Sequence, residues 1–431
     1  MDKRINDIKK LFKTGFFHIF GTNVINKMLG FLSSIILLRI ISKPEYGIFT
    51  YAWNIYNIVL LFNGLGIVSG VLQLSSEHAG DLEFNKRISN FGTRFGIKID
   101  LLLAVVLLGI GAFAPLKIES SRSLILMLCA LPIIQLLYEL TTISLRTQKR
   151  NREYAKLQLI NTIVLYAVSL PASFWLREMG LVIGHYCSCV VSIILGMTVF
   201  RVSIINNENE DIGSDKSPLI KISANSMVNN GLSHLLYLLD VFVLGIVDPQ
   251  ETILASYKVA TIIPSALVFI PASLVVYIYP YFAEHKDDKE WCKKNYRKMI
   301  MIFGAFNILV SAILFIFAPL IVKVVFGEQY LDCVPVFRIL AVNYFISATF
   351  RTISGNLLVT QRALRFNLLV VIVSSAVNAV ADFFFIQWWG MIGAAIATIS
   401  VVVISSVLST SYLLYLFCKK PALQNNKKVD P

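Results

Sequence analysis

The chain has 431 residues, of which 56% are hydrophobic and only 15% charged, and its formal net charge is +13. An ordinary soluble protein carries about 25% charged residues, so this composition excludes a soluble globular domain. Apolar runs of about 18 or more residues recur along the chain, and each is long enough to cross roughly 30 Å of hydrocarbon as a helix. A membrane-spanning barrel would instead show short alternating segments. The sequence therefore predicts an all-α polytopic membrane protein.

Twelve apolar segments are predicted to span the membrane. The first six cover residues 15–40, 46–74, 91–114, 123–146, 154–176 and 179–201, and the second six cover 218–247, 251–281, 298–322, 331–360, 366–388 and 390–417. The fifth and sixth spans are separated only by Leu176–Glu178, and the last two only by Trp388–Gly390. Between the first two spans, SKPEYG is predicted to be an outer hairpin turn in which Pro44 and Gly47 make the bend.

The distribution of lysine and arginine predicts the orientation of these spans. If the N-terminus is cytoplasmic, 28 of the 39 basic residues fall in cytoplasmic segments and six in outer loops. This bias follows the positive-inside rule, so both termini are predicted to be cytoplasmic. Topology then accounts for most of the positive net charge, and no nucleic-acid partner is implied.

The chain also contains an internal repeat. LLRIISKPEYGIFTYA aligns with VLGIVDPQETILASYKVA at an offset of 206 positions, and LRTQKRNREYA at 145–155 resembles LVTQRALRF at 358–366. The repeat predicts an N-terminal six-helix half at 1–203 and a C-terminal six-helix half at 218–431, joined by a cytoplasmic linker at 204–217. Because six spans return the chain to the same side, the halves share one orientation and are related by an axis along the membrane normal.

This architecture, with SKPEYGIFTYA after the first span, resembles the polysaccharide flippases. These Wzx-like proteins belong to the multidrug/oligosaccharidyl-lipid/polysaccharide exporter superfamily, together with multidrug and toxin extrusion transporters and lipid II flippases. The family shows a turn with a proline and an acidic residue, followed by a Tyr-Gly-aromatic stretch. The matching residues here are Pro44, Glu45, Tyr46, Gly47 and Phe49.

The resemblance implies a function and a location. A central cavity between the two halves would open to each side of the membrane in turn. The implied substrate is an undecaprenyl-pyrophosphate-linked oligosaccharide repeat unit, moved from the cytoplasmic to the outer leaflet for O-antigen or capsule biosynthesis. The implied location is the bacterial cytoplasmic (inner) membrane, and the implied partners besides membrane lipid are a polysaccharide polymerase and a chain-length regulator.

Such a substrate needs cations for its diphosphate and hydrogen-bonding groups for its sugars. Polar residues recur at helical spacing on one face of the first span, and a second set recurs in the equivalent seventh span. The first set is Asn23, Asn26, Lys27, Gly30, Ser33 and Ser34, and the second is Ser226, Asn230, Ser233, Tyr237 and Asp240. Two interpretations stay open, because such a face either lines a cavity or forms hydrogen bonds between helices.

Charged residues inside spans are costly unless they pair or contact water. Depth along the helices predicts three pairs that serve either ion coupling or structure: Asp240 with Lys258, Lys98 with Glu139, and Arg338 with Asp382. Lys27, Arg351 and Asp100 are left without an obvious partner. The two cations suit a diphosphate or an acidic sugar. The predicted substrate site therefore consists of Lys27, Arg351, Asn23, Asn26, Asn230 and Ser233.

No catalytic constellation accompanies these residues. The sequence lacks the G-x-x-x-x-G-K-[ST] phosphate loop, and its outer loops are too short to hold an enzymatic domain. We therefore expect no enzyme activity, no ATP hydrolysis, no cofactor and no metal site. A multidrug or organic-cation antiporter of the same superfamily is the alternative, and it requires an unpaired acidic cavity. A non-transporting scaffold of a polysaccharide assembly complex is a third possibility, and it would not require inward polar faces.

Overall fold

The computed structural model describes residues 16–78, 80–203 and 212–418. These residues form helices joined by turns and contain no β-strand. They group into two compact units, one running to Lys258 and including Val325–Tyr330, the other formed by Val259–Val324 and the described residues from Leu331 onward. Most of the predicted linker at 204–217 lies outside the described residues, and the division into two six-helix halves stays a prediction.

The helices of the first unit follow the first seven predicted spans. They are α1 (Phe16–Ile40), α2 (Lys43–Leu60), α3 (Ile67–Glu77), α4 (Leu82–Phe113), α5 (Arg122–Met127), α6 (Leu131–Thr147), α7 (Asn151–Leu176), α8 (Met179–Thr198) and α9 (Lys216–Val247). Helix α1 packs along α7, α7 along α8, and α9 along α2 and α3. A core of buried aliphatic side chains joins α3, α4 and α6, with Ile67, Ile88 and Leu136 at its centre.

The remaining helices follow the last five predicted spans. They are α10 (Glu251–Leu267), α11 (Phe269–Glu284), α12 (Lys289–Ile316), α13 (Ala318–Val325), α14 (Val334–Ile346), α15 (Thr352–Thr360) and α16 (Leu364–Cys418). A π-helical segment, Ser347–Arg351, joins α14 to α15. The core of the second unit gathers Phe282, Tyr296, Leu357 and Leu413 from four of these helices.

The described helices suit a membrane in length and in surface. Ten helical segments of the described chain are long and apolar enough to cross one. Large apolar side chains stay exposed along α4 and α12, for example Leu102 (60%) and Leu309 (60%), as hydrocarbon requires of a lipid-facing surface. The 55 residues of α16 would measure about 80 Å as one straight helix, and this helix breaks at Gly390. The exact number of twelve spans stays a prediction.

The structure corrects the interpretation of SKPEYG as a bend made by Pro44 and Gly47. The chain turns before Lys43, and Pro44 lies in the first turn of α2, where a missing N–H costs nothing. The carboxylate of Glu45 accepts a hydrogen bond from the backbone N–H of Ser42 at 2.7 Å, which is half of a helix-capping box. Gly47 lies inside α2, and a Cβ there would overlap the carbonyl group of Glu251. The signature is therefore a helix start and a close helix contact.

Two turns show the same backbone conformation at equivalent places in the predicted repeat. Lys149 and Arg362 both have a φ of 58°, in the left-handed region that commonly ends a helix. In both turns the next residue donates its N–H to a carbonyl five residues earlier: Arg150 to Leu145 at 2.9 Å and Ala363 to Leu358 at 3.0 Å. These are the TQKR and TQRA segments that the sequence alignment paired, so their likeness in structure agrees with the repeat.

Candidate functional site

The first unit contains a cavity of about 420 Å³. It is lined by residues of α2, α3, α6 and α9 and of the Asn63–Gly66 segment, which joins α2 to α3. Its polar lining consists mainly of amides, with one hydroxyl, one carboxylate and one imidazole among the described residues. These residues are Asn57, Asn63, Ser69, Gln135, Glu139, Asn230 and His234. No lysine or arginine of the described residues lines this cavity.

A break in the second predicted span shapes the cavity. The helix ends at Leu60, and Gly64, Leu65 and Gly66 follow with φ values of 50°, 54° and 75°. Successive positive φ values are adopted easily only by glycine. At Gly66 a Cβ would also overlap the backbone oxygen of Ser223 on α9. Two glycines therefore let the chain break where α9 passes close by, and the break frees backbone groups that a continuous helix would use.

One freed backbone group meets a buried carboxylate. The N–H of Gly64 donates a hydrogen bond to Oδ1 of Asp100 at 2.7 Å, and the Asp100 residue is 0% exposed. Its other oxygen, Oδ2, has no hydrogen-bond partner among the residues that the structure describes. The sequence left Asp100 without a partner, and the structure supplies a backbone donor for one of its two oxygens.

Glu139 is held by amides. Its Oε1 accepts a hydrogen bond from Gln135 Nε2 at 3.1 Å, and its Oε2 lies 3.5 Å from Asn63 Nδ2. The Tyr56 hydroxyl donates to Gln135 Oε1 at 2.8 Å, which fixes the amide so that its NH₂ faces the carboxylate. Asn63 lies beside Glu139, and the next residue, Gly64, donates to Asp100, so both carboxylates lie at the same short segment. The break in the span therefore gathers two carboxylates beside the cavity.

The predicted pair of Lys98 and Glu139 is wrong. The Lys98 side chain is exposed, and no ion pair among the described residues joins it to Glu139. Lys98 lies two residues before Asp100 on α4, so the two side chains point about 200° apart around the helix. Because Asp100 faces the break and Glu139, Lys98 points away from both.

The other two predicted pairs have different outcomes. Asp240 accepts a hydrogen bond at 2.5 Å from the hydroxyl of Tyr257, the residue before Lys258, so it lies beside this part of α10, and its pairing with Lys258 stays a prediction. Arg338 does not contact Asp382. Its Nε donates to the Phe315 carbonyl at 3.2 Å, and its guanidinium lies 5.4 Å from the centre of the Phe315 ring. A backbone oxygen and an aromatic face thus take the place of the predicted carboxylate.

Some polar residues of the first span are exposed, and others pack against a neighbouring helix. Asn23 and Lys27 are exposed, whereas Ser33 is buried. A Cβ at Gly30 would lie 3.1 Å from the Tyr166 hydroxyl on α7. Asn26 is half-buried, and its Oδ1 has no hydrogen-bond partner within the described parts of the chain. The deeper part of this face therefore packs against α7, and the two exposed residues keep open the predicted contact with substrate.

The surroundings of Arg351 support the packing interpretation for its neighbours. Tyr344 donates to Asn307 Oδ1 at 3.1 Å, and Asn307 Nδ2 donates to Thr349 at 3.1 Å. Ser354 shares hydrogen bonds with Tyr296 at 2.8 Å and Thr410 at 3.0 Å. These polar groups therefore form hydrogen bonds between helices. Arg351 ends the π-helical segment, is half-buried, and forms no hydrogen bond or ion pair with described residues.

The seventh predicted span contributes one predicted residue to the cavity. Asn230 on α9 is exposed and lines it. The side chain of Ser233 lies outside what the structure describes. Within the described residues, no group of three or more His, Cys, Asp or Glu side chains is placed to hold a metal ion.

A family model described as "Polysaccharide biosynthesis protein" matches residues 36–335. The chain belongs to this polysaccharide biosynthesis protein family. A curated relative, the lipopolysaccharide biosynthesis protein WzxC of Escherichia coli K12, is 24% identical over 411 residues, which cover 92% of this chain and 78% of WzxC. A membrane protein encoded in the cps region of Klebsiella pneumoniae is 29% identical over 151 residues, which cover 34% of this chain and 29% of that protein.

Solved structures of two transporter types share the fold of this polysaccharide biosynthesis protein. The lipid II flippase MurJ in an inward closed conformation matches with a TM-score of 0.68 and 13% identity, covering 93% of this chain and 88% of MurJ. An inward-facing multidrug resistance MATE family transporter of the MOP superfamily also gives 0.68, with 14% identity, covering 91% of this chain and 95% of the transporter. The family member therefore has the all-α fold of this transporter superfamily.

The sequence did not predict several of the residues that line the cavity. Asn57, Asn63, Gln135 and His234 line the cavity and were not predicted. The one signal in the sequence was Asn63-Gly64 with Gly66 inside an apolar run, since Asn-Gly marks a turn. That signal predicts a break within the second span, next to the residues that line the cavity.

Proposed function

We propose that the protein is a flippase that moves undecaprenyl-pyrophosphate-linked oligosaccharide repeat units from the cytoplasmic to the outer leaflet by alternating access, in the biosynthesis of O-antigen or capsule. The proposal includes the bacterial inner membrane as its location, cytoplasmic termini, and a polymerase and a chain-length regulator as partners. Its family membership and its likeness to WzxC and MurJ support the proposal.

The lining of the first-unit cavity is the observation that carries the proposal. An amide offers both donors and acceptors, which is what the hydroxyl groups of a sugar need. Asn57, Gln135 and Asn230 supply amides from three different helices. A binding site for a polar substrate combines such fixed polar groups with apolar walls, and here Leu60, Leu61 and Leu238 are among the apolar residues of the lining.

The diphosphate needs a second set of residues. No basic residue in the described parts of the chain lines the first-unit cavity, so the cavity itself does not supply the cations that the sequence analysis expected. Lys27 and Arg351 remain the predicted contacts for the anionic group. Neither residue forms an ion pair with described residues, which leaves each one available to a phosphate.

Deletion and complementation test this function. The deletion strain should accumulate lipid-linked repeat units on the cytoplasmic side, identified by mass spectrometry, and the wild-type gene should restore surface polysaccharide. Asn57→Ala and Asn230→Ala should each lower transport about tenfold, since each loses a hydrogen bond to substrate. Asn356→Ala is the matched control, because Asn356 is exposed and donates within its own helix to Thr352 at 2.8 Å. A deletion strain without accumulated repeat units would refute the proposal.

The carboxylate of Glu139 in the cavity favours the alternative function of a multidrug or organic-cation antiporter. A carboxylate in an otherwise neutral cavity suits an organic cation, as a multidrug antiporter would require. The flippase proposal predicts that the deletion leaves ethidium efflux and drug susceptibility unchanged. If the deletion abolishes efflux and surface polysaccharide persists, the antiporter function replaces the flippase function.

A further inference from the structure

The break at Asn63–Gly66 brings together acceptor oxygens that lack donors. Oδ2 of Asp100 and Oδ1 of Asn63 are both buried and without a hydrogen-bond partner among the described residues. They belong to adjoining parts of the structure, because Gly64, the residue after Asn63, donates to the other oxygen of Asp100 at 2.7 Å. Two acceptors cannot satisfy one another, and a buried polar group without a partner is costly.

Both charged side chains that the structure describes beside the break, Asp100 and Glu139, are carboxylates. Asp100 and Glu139 lie beside the adjacent residues Gly64 and Asn63, and no ion pair with a described residue compensates either carboxylate. Within the described parts of the chain, donors reach them only from the Gly64 backbone and from the amides of Gln135 and Asn63. Removing a carboxylate from water is expensive unless a positive charge accompanies it. A positively charged group that binds oxygen would compensate the negative charge and would also bind the acceptor oxygens that lack donors.

We propose that Asp100, Glu139 and Asn63 form a binding site for one small cation, either a proton or an alkali-metal ion. The ligand atoms are carboxylate and amide oxygens, which hard cations prefer. Glu139 and Asn63 also line the cavity, so a cation can enter from there without crossing the apolar core. The site does not depend on the identity of the transported substrate.

Other titratable groups surround the two carboxylates. Those within electrostatic range of Asp100 or Glu139 or on the same cavity wall are Tyr56, Tyr138, Cys189 and His234. None of these is permanently cationic, and His234 is exposed on α9. They therefore do not replace the proposed cation, and a His234→Gln variant serves as the control for the imidazole on the cavity wall.

Thermal unfolding of the purified full-length protein in detergent tests the site. The melting temperature is measured at pH 8 in NaCl, KCl or LiCl against choline chloride at equal ionic strength, and in choline chloride from pH 6 to pH 9. An alkali ion that binds the folded protein raises the melting temperature over choline, by about 3 °C or more at saturation. A site for protons only gives no ion effect. It makes the melting temperature fall with rising pH, because the folded site holds a proton that an unfolded carboxylate has lost.

Matched variants assign the effect to the site. Asp100→Asn should abolish the ion or pH effect, and Glu139→Gln should reduce it, with the protein still eluting as a folded species. Glu83→Gln is the control, because Glu83 is an exposed carboxylate on the same helix. If Asp100→Asn does not fold, the response of Glu139→Gln and direct binding of ²²Na⁺ to the wild-type protein decide whether the site binds a cation. Equal ion and pH responses in wild type, Asp100→Asn and Glu139→Gln would overturn the proposal, as would a response that Glu83→Gln also removes.

Discussion

Arg177 and Gly390, 213 positions apart in the chain, have almost the same backbone conformation, with φ and ψ of 51° and −129° for Arg177 and 53° and −131° for Gly390. Each residue lies in the short break between two successive spans. At the same offset, Gly180 and Gly393 have no room for a Cβ, which would overlap the backbone at Ala172 and Phe385 respectively. The corresponding hairpins of the two predicted repeats are thus built alike, one with arginine where the other has glycine.

This pair of residues predicts opposite effects of substitution. The conformation is unfavourable for any residue with a side chain, so Gly390→Ala should lower stability by about 1–3 kcal/mol. Arg177→Gly should leave stability unchanged or raise it. Among the residues that the structure describes, the exposed Arg177 side chain loses only a hydrogen bond of 3.3 Å to the Ile40 carbonyl and an ion pair of 3.8 Å with Glu45, and such surface contacts contribute little.

Melting temperatures in detergent measure both effects. Gly109→Ala is the control, because Gly109 lies inside α4 with no atom within 4 Å of its Cβ position, and alanine there should be neutral or slightly stabilising. Equal melting temperatures for Gly390→Ala and Gly109→Ala would contradict the role given to the backbone conformation.

The hydrogen-bonded group around Asn307 gives a second prediction. Tyr344→Phe removes the donor to the buried Asn307 Oδ1 and leaves that oxygen unsatisfied, which should cost about 1–3 kcal/mol. Tyr415→Phe is the matched control, because Tyr415 is 56% exposed. Thermal unfolding of the two variants should differ by several degrees, and equal values would mean that Asn307 finds another donor.

Asp240 and Lys258 give a third prediction. If the two charges compensate one another, Asp240→Asn alone should impair folding or transport more than the double variant with Lys258→Met does. The coupling between the substitutions is obtained from a double-mutant cycle, with transport and melting temperature measured for all four proteins. A double variant as impaired as the sum of the single variants would show that Asp240 acts otherwise, for example by carrying a proton.

The sequence predicted helices better than side-chain partners, for a physical reason. A long apolar run is enough to predict a helix, and a short interruption of the run predicts where the helix breaks. The breaks at Arg177 and Gly390 were therefore predicted to within a residue. Partners depend on rotation about the helix axis, which depth along a span does not provide. The pairing of Lys98 with Glu139 failed because Asp100, two positions later on α4, occupies the face that meets the break. That break at Gly64–Gly66 depends on backbone conformation and on contact with α9, which are tertiary features.

Orientation is a fourth prediction. With both termini in the cytoplasm, reporter fusions placed after residues 210 and 287 should report the cytoplasm, and fusions after residues 118 and 249 should report the outside. The physical reason is the distribution of 28 basic residues in predicted inner segments against six in outer loops, since positively charged loops resist translocation. A fusion after residue 210 that reports the outside would overturn the predicted topology.

The charge of Lys27 is expected to serve substrate binding. Its side chain is exposed on α1, one turn after the exposed Asn23, and it forms no hydrogen bond or ion pair with described residues. In a cavity of low dielectric constant a lysine attracts a phosphate more strongly than it does in water. Lys27→Ala should therefore lower transport at least about tenfold while expression and melting temperature stay unchanged, because no structural partner is lost. Lys27→Arg should keep partial activity, since it preserves the charge and alters reach and hydrogen-bond geometry.

Lys98→Ala is the matched control for Lys27, because Lys98 is also an exposed lysine within a predicted span. It should leave transport unchanged, so a loss restricted to Lys27→Ala would separate substrate binding from a general need for basic residues in the spans. Transport is measured as the appearance of lipid-linked repeat units in the outer leaflet. Normal transport by Lys27→Ala would refute the role of this charge. A loss of transport that accompanies a fall in melting temperature would instead make Lys27 a structural residue.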